Sequence, residues 1–176
     1  MSTIKFQVNR EKMRDGNMAR DQASQHWETI RDAILKIQNK KASSLSYEEL
    51  YRTAYNMVLH KHGEMLYTNV KKTTAELLKP IADASIEKTD EEFLVELNKL
   101  WAEQKMCIIM IKDILLYMNK NYVPKLKLKP VEQMQYSQFK HNIVLHTTIK
   151  PRLVARLIEE IRKDRDGQII DKGTIR

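Results

Sequence analysis

The stretch LSYEELYRTAYNMVLHKHGEMLY, residues 45–67, decides the fold. Its second to fifth residues, Ser-Tyr-Glu-Glu, have the pattern of a capping box. In such a box the Ser46 hydroxyl accepts from the backbone N–H of Glu49, and the Glu49 side chain returns to the N–H of Ser46. A helix is therefore predicted over residues 47–60, with Gly63 as its C-terminal cap.

This helix carries two apolar stripes. At about 100° per residue, Leu50, Ala54 and Met57 fall in one compact arc, which is the natural core face. The second stripe, centred roughly 100° from the first, consists of Tyr47, Tyr51, Tyr55 and Val58. Both stripes together are wider than the strip that one neighbouring helix usually covers. The pattern therefore predicts that a further surface, inside or outside the domain, covers the second stripe.

The remaining apolar periodicity predicts five more helices. They cover residues 21–40, 64–79, 89–123, 131–147 and 150–163. Pro80 is predicted to stop the helix over 64–79, whereas no breaker interrupts the one over 89–123. Near the end of that long helix, Tyr117 and Lys120 point away from its core stripe.

The composition favours an all-α protein. Only 4 Gly and 4 Pro occur in 176 residues, too few for the many turns of an all-β chain. The single cysteine, Cys107, lies in an apolar run, which predicts a buried thiol and a reducing compartment. The most apolar window, residues 106–118, is short and contains Lys112 and Asp113, so no membrane span and no membrane partner are expected.

The positive charge is concentrated in the last third of the chain. The formal net charge is +8, and residues 120–176 hold 13 Lys and Arg against 6 Asp and Glu, a net of +7. Such an excess leaves a basic helical nucleic-acid-binding protein as the alternative function. The most basic run, residues 125–129, lacks the interleaved aromatic side chains of a base-stacking surface, which favours a solvated face or an acidic neighbour.

No constellation of residues predicts catalysis. His60 and His62 have neither the spacing of one helical face nor a nearby cysteine, so no metal site is expected. Ser43, Ser44 and Ser46 have no histidine close in sequence, and no glycine-rich phosphate motif occurs. The prediction is a protein without enzymatic activity and without a cofactor.

Three segments resemble the cullins, the elongated scaffolds of multisubunit ubiquitin ligases. The run over residues 45–67 resembles the second helix and following turn of cullins, most closely in the cullin-three class that recruits BTB-domain adaptors. Residues 110–123 look like the fifth helix of that class, and residues 164–176 resemble a later element of the family. The resemblance extends from about residue 22 to residue 176.

The resemblance implies a fold and a domain organisation. It implies an all-α cullin-repeat helical bundle within an elongated stalk. Residues 21–123 would form the first five-helix repeat, and residues 124–176 would begin a second. Residues 1–20, which are polar with isolated apolar positions, are predicted to be a flexible N-terminal arm. Family knowledge implies a protein of the cytoplasm and nucleus.

The resemblance also implies an adaptor-binding surface. In the family the second and fifth helices of the first repeat bind the adaptor. The matching positions are Tyr47, Glu48, Tyr51, Tyr55, Tyr117 and Lys120, with Ile4 and Phe6 of the arm in the place where this class has an adaptor-packing extension. The class usually has phenylalanine at the position of Tyr47 and arginine at the position of Lys120. The expected partners are BTB-domain adaptors, and a full-length scaffold would also bind a RING subunit through a region absent from these residues.

Overall fold

The computed structural model describes residues 18–170 and 173, and all regular secondary structure within them is helical. The elements are α1 (Arg20–Gln38), a 3₁₀ turn (Ala42–Ser44), α2 (Tyr47–Leu59), α3 (Gly63–Ile86), α4 (Asp90–Ile114), α5 (Leu116–Asn121), α6 (Val131–Phe139), a π-helical turn (Lys140–Val144) and α7 (Ile149–Arg165). None of the helices in this part of the chain is both long and apolar enough to cross a membrane. The all-α prediction is confirmed.

Two hydrophobic clusters hold the helices together. The larger is built on the apolar stripe of α1 and packs against α2, the first half of α3, the second half of α4, α5 and the start of α6. Its buried members include Trp27, Ile30, Ile34 and Ile37, as their spacing predicts. The smaller cluster joins the end of α3 and the start of α4 to α6 and α7. Helices α3, α4 and α6 contribute buried residues to both clusters and so connect them.

Helix α2 begins as predicted but ends differently. The Ser46 hydroxyl accepts from the N–H of Glu49 at 3.4 Å, although the Glu49 side chain does not return the bond. At the other end Lys61, with φ 67°, adopts the left-handed conformation, and the His62 N–H reaches back to the Met57 carbonyl at 2.8 Å. The prediction that Gly63 caps α2 is therefore wrong, because Gly63 is the first residue of α3.

The predicted stop of α3 at Pro80 is also wrong. Helix α3 continues through Pro80 to Ile86, although proline removes one intrahelical hydrogen bond and costs about 3 kcal/mol inside a helix. Leu78 and Ala82, on either side of the proline, are almost fully buried in the smaller cluster. Burial of the residues around Pro80 therefore outweighs the local penalty.

The single long helix predicted over residues 89–123 is interrupted at Leu115. The ψ angle of Leu115 is 17°, far from the roughly −42° of an α-helix, so α4 ends at Ile114 and α5 begins at Leu116. No proline or glycine marks this position. The Leu115 side chain is completely buried in the larger cluster, which shows that packing sets the break.

The last helices agree with the pattern apart from one boundary. Helix α6 is regular only to Phe139 and finishes in a π-helical turn, so the predicted helix over 131–147 is too long. Helix α7 forms where predicted, and Gly167, with φ 75°, turns the chain after it. The division into a repeat over 21–123 and a second over 124–176 stays a prediction, and the arm over 1–20 lies almost entirely outside the described residues.

Gly63 generates a testable prediction, because the Tyr122 ring lies against it. A Cβ added at Gly63 would meet the Tyr122 Cδ2 atom at 2.6 Å. We expect Gly63→Ala to destabilise the chain by about 1–3 kcal/mol, the usual cost of overpacking. Urea denaturation monitored by circular dichroism would measure the loss.

The control is the same substitution in a Tyr122→Ala background. There the added methyl group meets no ring, so its cost should fall to well under that of the single variant. Equal losses in both backgrounds would show that the ring contact is not the cause.

Candidate functional site

Helix α2 places its two stripes in different environments. Leu50, Ala54 and Met57 are buried in the larger cluster, as the helical projection predicts. Tyr47 and Tyr51 each remain 37% exposed, so they lie on a side of α2 that the described part of the domain does not fully cover. The second stripe thus meets both solvent and a neighbouring helix.

That neighbouring helix is α5. The rings of Tyr55 and Tyr117 lie edge to face, with centroids 4.4 Å apart and planes at 64°. Aromatic pairs in this geometry contribute about 0.5–1.5 kcal/mol beyond their area burial. The contact therefore joins the two helices to which the resemblance assigns the adaptor-binding surface, and it leaves both tyrosines half-buried.

Lys120 lies three residues after Tyr117 and is exposed in the last turn of α5. Residues spaced by three share a helical face, so Lys120 continues the surface begun by the tyrosines. Glu48 is exposed in the first turn of α2 and forms an ion pair with Arg52 at 2.6 Å. An exposed pair of this kind adds little to stability, so the Glu48 carboxylate remains available to a partner.

The N-terminal end of α2 approaches α4. Burial raises the pKa of the Tyr47 hydroxyl, and the negative charge of Asp113 on α4 raises it further. An ionised Cys107 thiolate would also raise the pKa of Tyr47. Burial raises the pKa of the Cys107 thiol as well, so this thiol is uncharged at neutral pH. Tyr47 therefore keeps its proton and can donate a hydrogen bond to a partner.

Sequence reasoning did not assign a functional role to Asp113 and Ile109 of α4. Ile109 is 40% exposed and lies four residues before Asp113, which places both on one face of α4. Because the Asp113 charge acts on Tyr47, this face borders the tyrosines of α2. The available signal in the sequence was an isoleucine one helical turn before Asp113, which is one of two charged residues in the apolar run over residues 106–118.

The structure thus brings most of the predicted site together. We call the surface formed by Tyr47, Glu48, Tyr51 and Tyr55 of α2 with Tyr117 and Lys120 of α5 the α2–α5 surface. Ile4 and Phe6, the predicted contacts of the arm, lie outside the described residues. Within residues 18–170 and 173, no group of three or more His, Cys, Asp or Glu side chains is arranged to hold a metal ion.

Comparison with known proteins establishes the family. The cullin alpha solenoid domain model matches residues 27–176, which is most of the chain. The chain is 43% identical over 150 residues to Cullin-3 of Dictyostelium discoideum and 42% identical over 154 residues to Cullin-3A of Arabidopsis thaliana. It is 37% identical over 150 residues to Cullin-3 of Caenorhabditis elegans. The chain belongs to the cullin family.

These alignments cover most of this chain but little of the relatives. They include 85% of this chain and 20% of the Dictyostelium protein, 88% and 21% for the Arabidopsis protein, and 84% and 19% for the Caenorhabditis protein. The chain therefore spans about a fifth of the length of the curated relatives that it matches.

The two stripes of α2 predict opposite responses to truncation. Leu50→Ala should cost about 2–5 kcal/mol, because it empties a buried position in the larger cluster. Tyr51→Ala should cost less than about 1 kcal/mol, since this side chain is partly exposed and lies off the core face. Urea denaturation of the two variants and the parent chain would compare them. Equal losses would mean that Tyr51 belongs to the core.

Proposed function

We propose that this chain is the adaptor-binding end of a cullin-RING ubiquitin ligase scaffold and that the α2–α5 surface binds the BTB domain of substrate adaptors. The single observation that carries the proposal is the pairing of Tyr55 with Tyr117. This contact joins α2 to α5 and leaves Tyr47 and Tyr51 exposed beside it. Tyrosines in such a position supply apolar area together with a hydroxyl, as the centres of protein interfaces commonly do.

The same surface supports a scaffold better than an enzyme. Its polar groups are tyrosine hydroxyls, one carboxylate and one ammonium group, spread along two helices rather than gathered in a cleft. Catalytic acids, bases and nucleophiles work within hydrogen-bond reach of one another in a concave site. We therefore infer a binding role for this chain, without catalysis of ubiquitin transfer.

The further partners follow from the family. By the resemblance, a scaffold of this class would hold its RING subunit through a region that these 176 residues do not include. The adaptor would then be held at one end of the stalk and the RING subunit at the other. We propose the cytoplasm and nucleus as the compartments in which this assembly acts.

The binding role predicts that Tyr51→Ala weakens the complex with a purified BTB-domain adaptor by more than about 1 kcal/mol. Interface tyrosines near the centre of a contact commonly contribute this much. Isothermal titration calorimetry would measure the change. Val95→Ala is the control, because Val95 is an exposed apolar residue near the start of α4 and lies outside the α2–α5 surface; it is 55% exposed, against 37% for Tyr51.

The outcome also distinguishes the basic nucleic-acid-binding alternative. The adaptor affinity measured by calorimetry should differ only modestly between 50 and 200 mM salt. The affinity for a nucleic acid bound through its phosphates would fall by orders of magnitude over the same range. An unchanged affinity for Tyr51→Ala, or no binding of any BTB adaptor by the parent chain, would refute the proposed function.

The arm predicts a second effect on binding. Deleting residues 1–17 retains Met18, whose carbonyl oxygen lies 2.9 Å from the His62 Nε2 atom, so thermal stability should change little. If Ile4 and Phe6 contact the adaptor as the resemblance implies, affinity should fall about tenfold, or about 1.4 kcal/mol. The double variant Ile4→Asp/Phe6→Asp should reproduce the loss. Unchanged affinity in both proteins would remove the arm from the site.

A further inference from the structure

A second surface lies where α5 leads into α6. We call residues 124–129, with the sequence Pro-Lys-Leu-Lys-Leu-Lys, the basic turn. Its leucines face opposite environments, because Leu128 packs against the larger cluster whereas Leu126 is 54% exposed. Lys125 and Lys127 flank the exposed leucine, and both are exposed. The turn therefore presents one apolar side chain between two positive charges.

Hydrogen bonds fix the backbone of the basic turn at both ends. The Leu128 N–H donates to the Val123 carbonyl at 3.0 Å, and the Tyr67 hydroxyl donates to the Lys129 carbonyl at 2.9 Å. Just beyond the turn, the Val131 N–H donates to the Asn119 side chain of α5 at 2.9 Å. Lys127 has φ 52°, a left-handed conformation that is unfavourable for a residue with a side chain. The turn is thus held in one shape rather than left as a loose linker.

The lysines of this region have no carboxylate partner within residues 18–170. In the described part of the chain, no carboxylate lies within 4.0 Å of the ammonium groups of Lys120, Lys125 or Lys127. Lys129 bonds to the Ser137 hydroxyl at 3.3 Å and to no carboxylate. Three lysines without a carboxylate partner among the described residues therefore lie on the turn beside Leu126 and at the end of α5.

The basic turn begins close to the α2–α5 surface. Lys120 belongs to that surface and lies in the last turn of α5, only five residues before Lys125. Five residues span at most about 17 Å, well within the extent of one protein interface. The basic turn and Lys120 are therefore close enough for one partner to contact both.

We propose that the basic turn extends the α2–α5 surface and receives an acidic, partly apolar patch of the same adaptor protein. This inference rests on the proposed function and adds the chemistry of the partner. Acidic side chains would meet Lys120, Lys125 and Lys127, and an apolar side chain would cover Leu126. An exposed leucine at the centre of the charges, and no aromatic side chain in the turn, fit a protein better than a nucleic acid.

The lysines and the leucine should affect different rate constants. Charges at the edge of an interface mainly steer association, whereas buried apolar contacts slow dissociation. In biolayer interferometry with a purified BTB-domain adaptor at 50 mM salt, Lys125→Glu/Lys127→Glu should slow association at least tenfold. Raising the salt to 200 mM should shrink this difference. Leu126→Ser should speed dissociation about threefold to tenfold with little change in association.

The matched control is Lys140→Glu/Lys150→Glu. Reversing these two exposed lysines changes the net charge by the same amount. Lys140 directly follows α6, about 14 Å along that helix from its start, and Lys150 lies in the first turn of α7. The control should alter association much less than the basic-turn variant does. Equal slowing by both double variants would overturn the proposal, because the effect would then come from net charge alone. No slowing by the basic-turn variant would also overturn it.

Two further measurements distinguish a failure of this proposal from a failure of the proposed function. If the parent chain binds the adaptor and Tyr51→Ala weakens binding while the basic-turn variant does not, only the proposal for the turn fails. Binding of a labelled 20-nucleotide RNA and of a 20-base-pair DNA would be measured by fluorescence anisotropy for the same variants. Loss of nucleic-acid binding by the basic-turn variant, with adaptor binding unchanged, would assign the turn to nucleic acid and overturn the proposal.

Discussion

The contact between the Tyr122 ring and Gly63 is the constraint on which the arrangement of α2 and α5 depends. Gly63 begins α3 immediately after α2, and Tyr122 immediately follows α5. Only a residue without a side chain admits the ring at this distance. The contact therefore ties the C-terminal end of α5 to the junction of α2 and α3. Both the Tyr55–Tyr117 pair and the start of the basic turn depend on this position of α5.

The interruption at Leu115 complements this constraint. If α4 continued without a break, the direction of α5 would be set by α4 alone. Because the helix is interrupted where Leu115 is completely buried, α5 can follow α2 while Met118 still enters the larger cluster. Tyr117, next to Met118, then lies against the Tyr55 ring. Core burial and site geometry are thus set by adjacent residues of one short helix.

The sequence predicts the features that local physics controls. Helices α1 and α2, the buried faces of both, and the Ser46 cap follow from apolar spacing and capping chemistry. The continuation of α3 through Pro80 and the break at Leu115 do not, because burial against distant helices decides both. In the candidate site, the helical projection of α2 predicts that its tyrosines lie off the core face. The family resemblance predicts that they share a surface with residues of α5. The approach of Asp113 to Tyr47 requires the packed structure, since the two residues lie on different helices.

Different residues of α2 form the core and the proposed binding surface. Leu50, Ala54 and Met57 belong to the core, so changes to Tyr47 or Tyr51 can alter a binding surface at little cost in stability. The lysines of the surface differ from its tyrosines in flexibility. Lysine is a flexible point charge and cannot form the two parallel hydrogen bonds that arginine makes with a carboxylate. Lys120 and the basic turn are therefore suited to attracting an acidic partner from a distance. In the proposed complex, the orientation of the partner would then come from the tyrosines, of which Tyr55 is held against the Tyr117 ring of α5.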